Sequence, residues 1–217
     1  MNKIVITVAA MAAATSAYAT DLPNKKKAPT PPVQTVTADA TQASADSLTI
    51  AYGQDFAPGK FSSKTDEMYQ LTYAHSLGNG FTVGGMAQTT QVPGSALNQN
   101  LEAQAGYALP AFSKVTLSGK VGVGERFGTS NFPYFALYGN ADYKLNDKFT
   151  INALQYTYTS AFNSGRDGYQ SHQLGTGVTY NINSKYSLSA SVARNFDTTT
   201  SFNATGDQVM LGMNMNF

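Results

Sequence analysis

Asp207 to Phe217 reads DQVMLGMNMNF. Val209, Leu211, Met213, Met215 and Phe217 alternate with Gln208, Met210, Gly212, Asn214 and Asn216, and a period of two is the signature of a β-strand whose faces meet different surroundings. In a soluble sandwich the apolar face would be the core. In a transmembrane barrel it would meet lipid while the other face lines the interior. The remaining segments decide between the two.

Working back from that strand, nine more segments carry the same alternation: 47–55, 68–77, 81–89, 101–109, 115–123, 135–145, 148–160, 172–182 and 186–196. All but 148–160, which is longer, have about the nine to eleven residues that a tilted membrane strand needs. In 115–123, Val115, Leu117, Val121 and Val123 oppose Thr116, Ser118, Lys120 and Gly122. Segment 148–160 breaks phase between Ala153 and Leu154, which fits either a β-bulge near Ala153 or aromatics turned into the lumen. The connections also alternate. Short turns (78–80, 110–114, 146–148, 183–185) exchange with longer polar stretches (54–67, 91–100, 124–133, 162–168, 197–207). That is the asymmetry of an outer-membrane barrel, with an even strand number. The expectation is therefore an all-β fold, a ten-stranded antiparallel up-and-down transmembrane β-barrel over 47–217. Eight strands is the alternative if the first or seventh segment fails to pair. The terminal strand should lie between segments 47–55 and 186–196.

Aromatics flank the short turns: Tyr73 and Phe81, Tyr107 and Phe112, Tyr143 and Phe149, Tyr180 and Tyr186, then Phe217. Rings repeated at one level suit a membrane interface, apolar body inward and polar tip outward. Two turns share a pattern, Leu145-Asn146-Asp147-Lys148-Phe149 and Ile182-Asn183-Ser184-Lys185-Tyr186, and a three-residue loop keeps the flanking residues on one face.

Composition narrows the class. Charged residues make up 12% of the 217, the formal net charge is +1, and Tyr and Phe number 13 and 12. Low charge and many rings on a chain of slightly polar mean hydropathy suit a barrel that shows lipid half of its side chains. Near-zero charge gives no electrostatic footprint for nucleic acid. The absence of Cys excludes disulfides and thiolate metal sites, and no metal or cofactor is expected. Met1 to Ala19 has a secretory signal pattern, with Lys3, an apolar run and Ala17-Tyr18-Ala19. Residues 20–46, with four prolines and then Ala, Thr, Gln and Ser, read as a disordered leader. Its Lys25, Lys26 and Lys27 could touch an anionic cell-wall polymer.

From Ser47 to Phe217 the chain resembles the small outer-membrane β-barrel proteins of Gram-negative bacteria. Val209, Leu211, Met213, Met215 and Phe217 are similar to the C-terminal assembly signal of that class. The leader Asp21 to Pro29 (DLPNKKKAP) resembles the start of mature outer-membrane proteins in rhizobia-like alphaproteobacteria. The resemblance implies contact with outer-membrane lipid and lipopolysaccharide, delivery to the outer-membrane assembly machinery through the last strand, extracellular loops, and both termini in the periplasm.

Catalytic groups are sparse. His75 falls on the outward face near a short turn. His172 lies beside Ser171 and five residues from Asp167, but adjacent strand residues face opposite ways, so Ser171 cannot readily serve it. No catalytic residue is assigned. The inward charges are Glu102, Lys120, Arg126, Asp142 and Lys144. With the turn centred near Ala111, Glu102 falls opposite Lys120, and a matched pair is what an interior tolerates. Such charges form either a set of mutually satisfied plugs or a constriction selecting small solutes. Ten strands lie just above the eight whose side chains fill the interior, so the expectation is a mostly plugged lumen with a structural or surface role. A narrow porin-like channel is the runner-up. A membrane-embedded enzyme or a soluble lipocalin-like binder ranks lower.

Overall fold

The computed structural model describes residues 46–95, 97–163, 169–197 and 203–217, so the expected signal segment and the stretch 20–45 with Lys25, Lys26 and Lys27 lie outside the described residues, while Asp46, read as the end of the leader, opens the first strand. Ten strands follow in order: β1 (Asp46–Ala57), β2 (Lys60–Gly78), β3 (Phe81–Gln91), β4 (Asn98–Ala108), β5 (Val115–Phe127), β6 (Phe132–Lys144), β7 (Phe149–Ala161), β8 (Gln170–Asn181), β9 (Tyr186–Asp197) and β10 (Asn203–Asn216). Each pairs antiparallel with its chain neighbour, and β1 pairs with β10 to close the barrel. β10 runs beside β1 from Ser47↔Asn216 to Phe56↔Asp207, and beside β9 from Asn203↔Asp197 to Met215↔Tyr186. Both expected neighbours of the terminal strand are found.

The alternation settles which way each side chain points. Leu101, Val121, Val123, Leu174, Leu188 and Leu211 are exposed on the outer surface, whereas the positions between them carry Gln, Asn, Thr, Ser, Gly and the charges named above. The fold therefore has no conventional apolar core. Among the described residues the cluster of buried apolar residues is luminal, where Phe132, Tyr134, Ala136 and Ala161 pack with Tyr138 and Tyr169.

The phase break in β7 is a bulge. Ala141 pairs with Leu154 and Asp142 with Asn152, which leaves Ala153 as the extra residue on β7. One additional residue flips the parity, so Phe149 and Ile151 before the bulge and Leu154 and Tyr156 after it all face outward.

The two ends of the barrel differ. The basal end holds Asp46, Phe217 and the turns after β2, β4, β6 and β8; the distal end holds the other connections. Loop length does not separate them as expected. The stretch 54–67, read as a loop, is a continuation of β1 and β2 that turns only at Pro58-Gly59, and 124–133 shrinks to residues 128–131. The reason is that distal extensions clear of the apolar belt have no contrast between faces. Lys60 to Thr65, for example, is exposed throughout. Their ladders are irregular, with register shifts on both sides of Phe56. Asp207 anchors this hairpin. Its side chain is buried, receives both Nε and Nη2 of Arg194 (2.6 and 3.0 Å), and accepts the Gly59 N–H at 2.6 Å.

The two similar basal turns use one device. Asn146 Oδ1 accepts the N–H groups of Lys148 and Phe149 (both 2.9 Å), and Asn183 Oδ1 accepts those of Lys185 and Tyr186 (2.8 and 2.9 Å). These side chains replace the acceptors that the turning backbone loses. Asn146→Ala or Asn183→Ala lowers stability by about 0.5–1.5 kcal/mol, one or two solvent-accessible hydrogen bonds, read from the urea midpoint of the refolded barrel.

Candidate functional site

The candidate functional surface is the lumen, and its most structured wall is built on β4, β5 and β6. β5 places Lys120, Gly122, Gly124 and Arg126 in one inward column. In register, Lys120 lies between Gly106 and Tyr138, Gly122 between Gln104 and Ala136, Gly124 between Glu102 and Tyr134, and Arg126 between Asn100 and Phe132. The two glycines leave room for what lies over them, and at Gly124 the Leu101 carbonyl, 2.5 Å from where a Cβ would stand, adds a backbone obstacle. A Cβ on Gly122 would overlap the Glu102 carboxylate, and one on Gly124 would come within 2.7 Å of the Tyr134 ring.

Glu102 is therefore not opposite Lys120. The β4–β5 hairpin is centred on Ser113, not Ala111, because Phe112 and Val115 close the turn with Ser113 at φ 58°, while Pro110 has no N–H to pair. The two charges are joined through Gln104. Lys120 Nζ donates to Gln104 Oε1 (3.2 Å), and Gln104 Nε2 donates to Glu102 Oε1 (2.7 Å). Tyr138 OH donates to the same oxygen at 2.7 Å, and the Lys120 ammonium lies 4.9 Å from the Tyr138 ring centre. Arg126 packs against two rings, 5.9 Å from Phe132 and 5.3 Å from Tyr169.

A second polar wall stands on β8, β9, β10 and β1. Gln173 donates to Asn195 (2.9 Å) and Gln208 (3.1 Å), and Gln208 donates to Asp55 (2.9 Å). Asp55 pairs in register with Asp66, two carboxylates side by side. Between the walls lies a cavity of about 590 Å³, reached by Asp55, Asp66, Asp197, Glu102, Lys120 and Arg126. A separate hollow of about 390 Å³ lies at the basal end, lined by Asp147, Asn181, Asn183 and Asn216.

The other two inward charges sit elsewhere. Asp142 accepts from Asn152 Nδ2 (2.8 Å) and does not line the main cavity. Lys144 is at the basal rim, exposed and ion-paired with the turn residue Asp147 at 2.8 Å. That pairing holds the Asp147 carboxyl below the usual carboxylate range. Val209, Leu211, Met213 and Met215 occupy the outward face of β10, and Phe217 follows it, 68% exposed.

His75 and His172 both face outward. His75 Nδ1 is 2.6 Å from Asp46 Oδ1, which also accepts from Tyr73 OH, and His172 Nδ1 is 2.6 Å from Tyr156 OH. Ser171 lines the lumen on the opposite face from His172, so the two cannot act as a nucleophile–base pair. Asp167 lies outside the described residues. Among the described residues no group of three or more His, Asp or Glu could hold a metal.

Sequence reasoning missed Gln104, Tyr134 and Tyr138 as members of this wall. Parity places Gln104 and Tyr138 inward, but an uncharged amide or phenol among polar neighbours carries no mark of its own, and Tyr134 lies one residue before the segment 135–145.

No family model and no curated protein matches the chain. Solved structures similar to it include the KdgM porin (16% identity, 78% of this chain and 99% of that one, TM-score 0.44) and the NanC porin (12%, 80% and 99%, TM-score 0.44). An outer membrane channel from Pseudomonas putida F1 shares 10% identity over 86% of this chain and 100% of its own, with a TM-score of 0.47. No residue role carries across at these values.

Proposed function

We propose that the chain is an integral outer-membrane β-barrel with a structural or surface role and a lumen closed to ion flow. The observation that carries this reading is the uncharged outer belt. On β5 the outward residues from Val115 to Val123 carry no charge until Glu125; on β2 the uncharged run lies between Glu67 and His75; on β9 it ends at Arg194. Nine residues at ~3.3 Å each, tilted by ~40°, give a belt roughly 23 Å tall, close to the apolar band of outer-membrane barrels. At its basal edge stand rings in contact across strands, Phe81 with Tyr107 (4.6 Å) and Phe149 with Tyr180 (5.0 Å). A soluble protein would leave this apolar surface in water at large cost.

In this reading lipid and lipopolysaccharide surround the belt, the assembly machinery takes hold of β10, and both termini lie in the periplasm. Lys25 to Lys27 are then placed to meet the cell wall. Closure is supported by the luminal aromatic cluster. The second reading, a narrow channel, draws on the main cavity itself. Its lining acids Asp55, Asp66, Glu102 and Asp197 outnumber Lys120 and Arg126, so a conducting lumen would prefer cations. Planar-bilayer recording of the purified protein separates the two. A closed lumen gives no stable single-channel steps, whereas steps with cation preference would establish the channel.

A further inference from the structure

Glu102 and Arg126 are neighbours that do not pair. Glu102 is opposite Gly124 and Arg126 is two residues further along β5, so the two inward side chains sit diagonally on adjacent strands, within the ~7–8 Å over which long side chains meet. Among the described residues neither takes part in an ion pair. Glu102 turns over Gly122 towards Gln104 and Tyr138, while Arg126 turns onto Phe132 and Tyr169. Glu102 is 5% exposed, and its Oε2 has no hydrogen-bond partner. Arg126 Nε and Asn100 Oδ1, directly across from each other in register, are also unpartnered. All three side chains line the 590 Å³ cavity.

A buried carboxylate and a half-buried guanidinium, held apart with bonding capacity unspent, are costly unless something between them completes the set. Two acceptors, one cationic donor and the Tyr134 hydroxyl, which lines the same cavity, remain open. A ligand carrying both an ammonium and a carboxylate matches them, with the ammonium donating to Glu102 Oε2 and Asn100 Oδ1 and the carboxylate accepting from Arg126 Nε. A polyol would supply donors without the charges, and a simple amine would leave Arg126 unanswered. We propose that the lumen holds a binding site for a small zwitterion, an α-amino acid or dipeptide, between Glu102 and Arg126. Entry is from the distal end, and a turn of the terminal carboxylate and guanidinium brings the open atoms to the ligand. Binding does not depend on whether the lumen conducts.

The test is calorimetric titration of the full chain refolded in detergent micelles. The probes are L-alanine, L-alanyl-L-alanine, their N-acetyl and C-amide forms, and glucose. At least one free zwitterion gives a saturable heat, and each capped form of it binds about tenfold or more weakly, the loss of one charge-assisted contact. Glu102→Gln and Arg126→Gln each reduce affinity for the free zwitterion to a similar degree. Heat-modifiable gel migration verifies that each variant is folded, and if Glu102→Gln fails to fold, Arg126→Gln with the capped probes carries the comparison. The proposal is overturned if neither zwitterion binds the folded barrel, if capped forms bind as well as free ones, or if glucose alone binds. Single-channel steps in the bilayer experiment would remove the closed-lumen reading and leave this result unaffected.

Discussion

Leu137→Arg lowers the unfolding free energy of the barrel in lipid vesicles by about 2–4 kcal/mol, the cost of an arginine near the midplane of a lipid-facing strand. Leu137 lies halfway along β6, 42% exposed on the outer surface, with Val121 on one side and Tyr158 on the other. All three face hydrocarbon in the membrane reading, so the guanidinium has no partner and must snorkel or draw water inward. The control is Gln155→Arg on β7, which puts the same charge at a residue lining the main cavity, where carboxylates outnumber cations. There the loss is much smaller. The measurement is reversible denaturant unfolding of both variants in vesicles. Equal losses on the two faces would defeat the assignment of the outer belt to lipid, because a soluble barrel has no reason to penalise a surface arginine.

That asymmetry between faces is also what made the fold readable from sequence. Wherever the two sides of a strand meet different media, period two is strong; segment 115–123 named every inward and outward residue correctly, and the parity slip at Ala153 falls where the bulge is. The signal fades where the media stop differing. Lys60 to Thr65 belongs to β2 yet its sequence reads as loop, since both its faces are exposed and nothing alternates. The luminal site was less legible for a different reason. Parity gives the face of a residue but not its height, and height depends on turn geometry. Placing the β4–β5 turn at Ala111 instead of Ser113 moved Glu102 four residues along β5, which exchanged Gly124 for Lys120 as its partner. The glycines of β5 reveal their purpose only when Glu102 and Tyr134 are seen lying on them.

Removing Phe217 should separate two roles of the terminal strand. Its backbone closes the seam, with Phe217 N–H donating to Asp46 O (2.9 Å) and its carbonyl accepting from Asp46 N–H (3.0 Å). Its ring is 68% exposed at the basal edge of the belt. Two peripheral hydrogen bonds contribute about 1–3 kcal/mol, and the rest of the β1–β10 ladder, from Ser47↔Asn216 onward, is untouched. Deletion of Phe217 therefore leaves a barrel that refolds in vitro with a modest drop in urea midpoint. In cells the effect is larger. If Val209, Leu211, Met213, Met215 and Phe217 are read together by the assembly machinery, loss of the last member cuts the folded protein recovered in the outer-membrane fraction several-fold. Phe217→Tyr, which keeps the ring and both backbone bonds, restores it. A fall in cells no greater than the in-vitro loss predicts would mean that Phe217 acts through the seam alone. The apolar face of β10 would then be a lipid surface and nothing more.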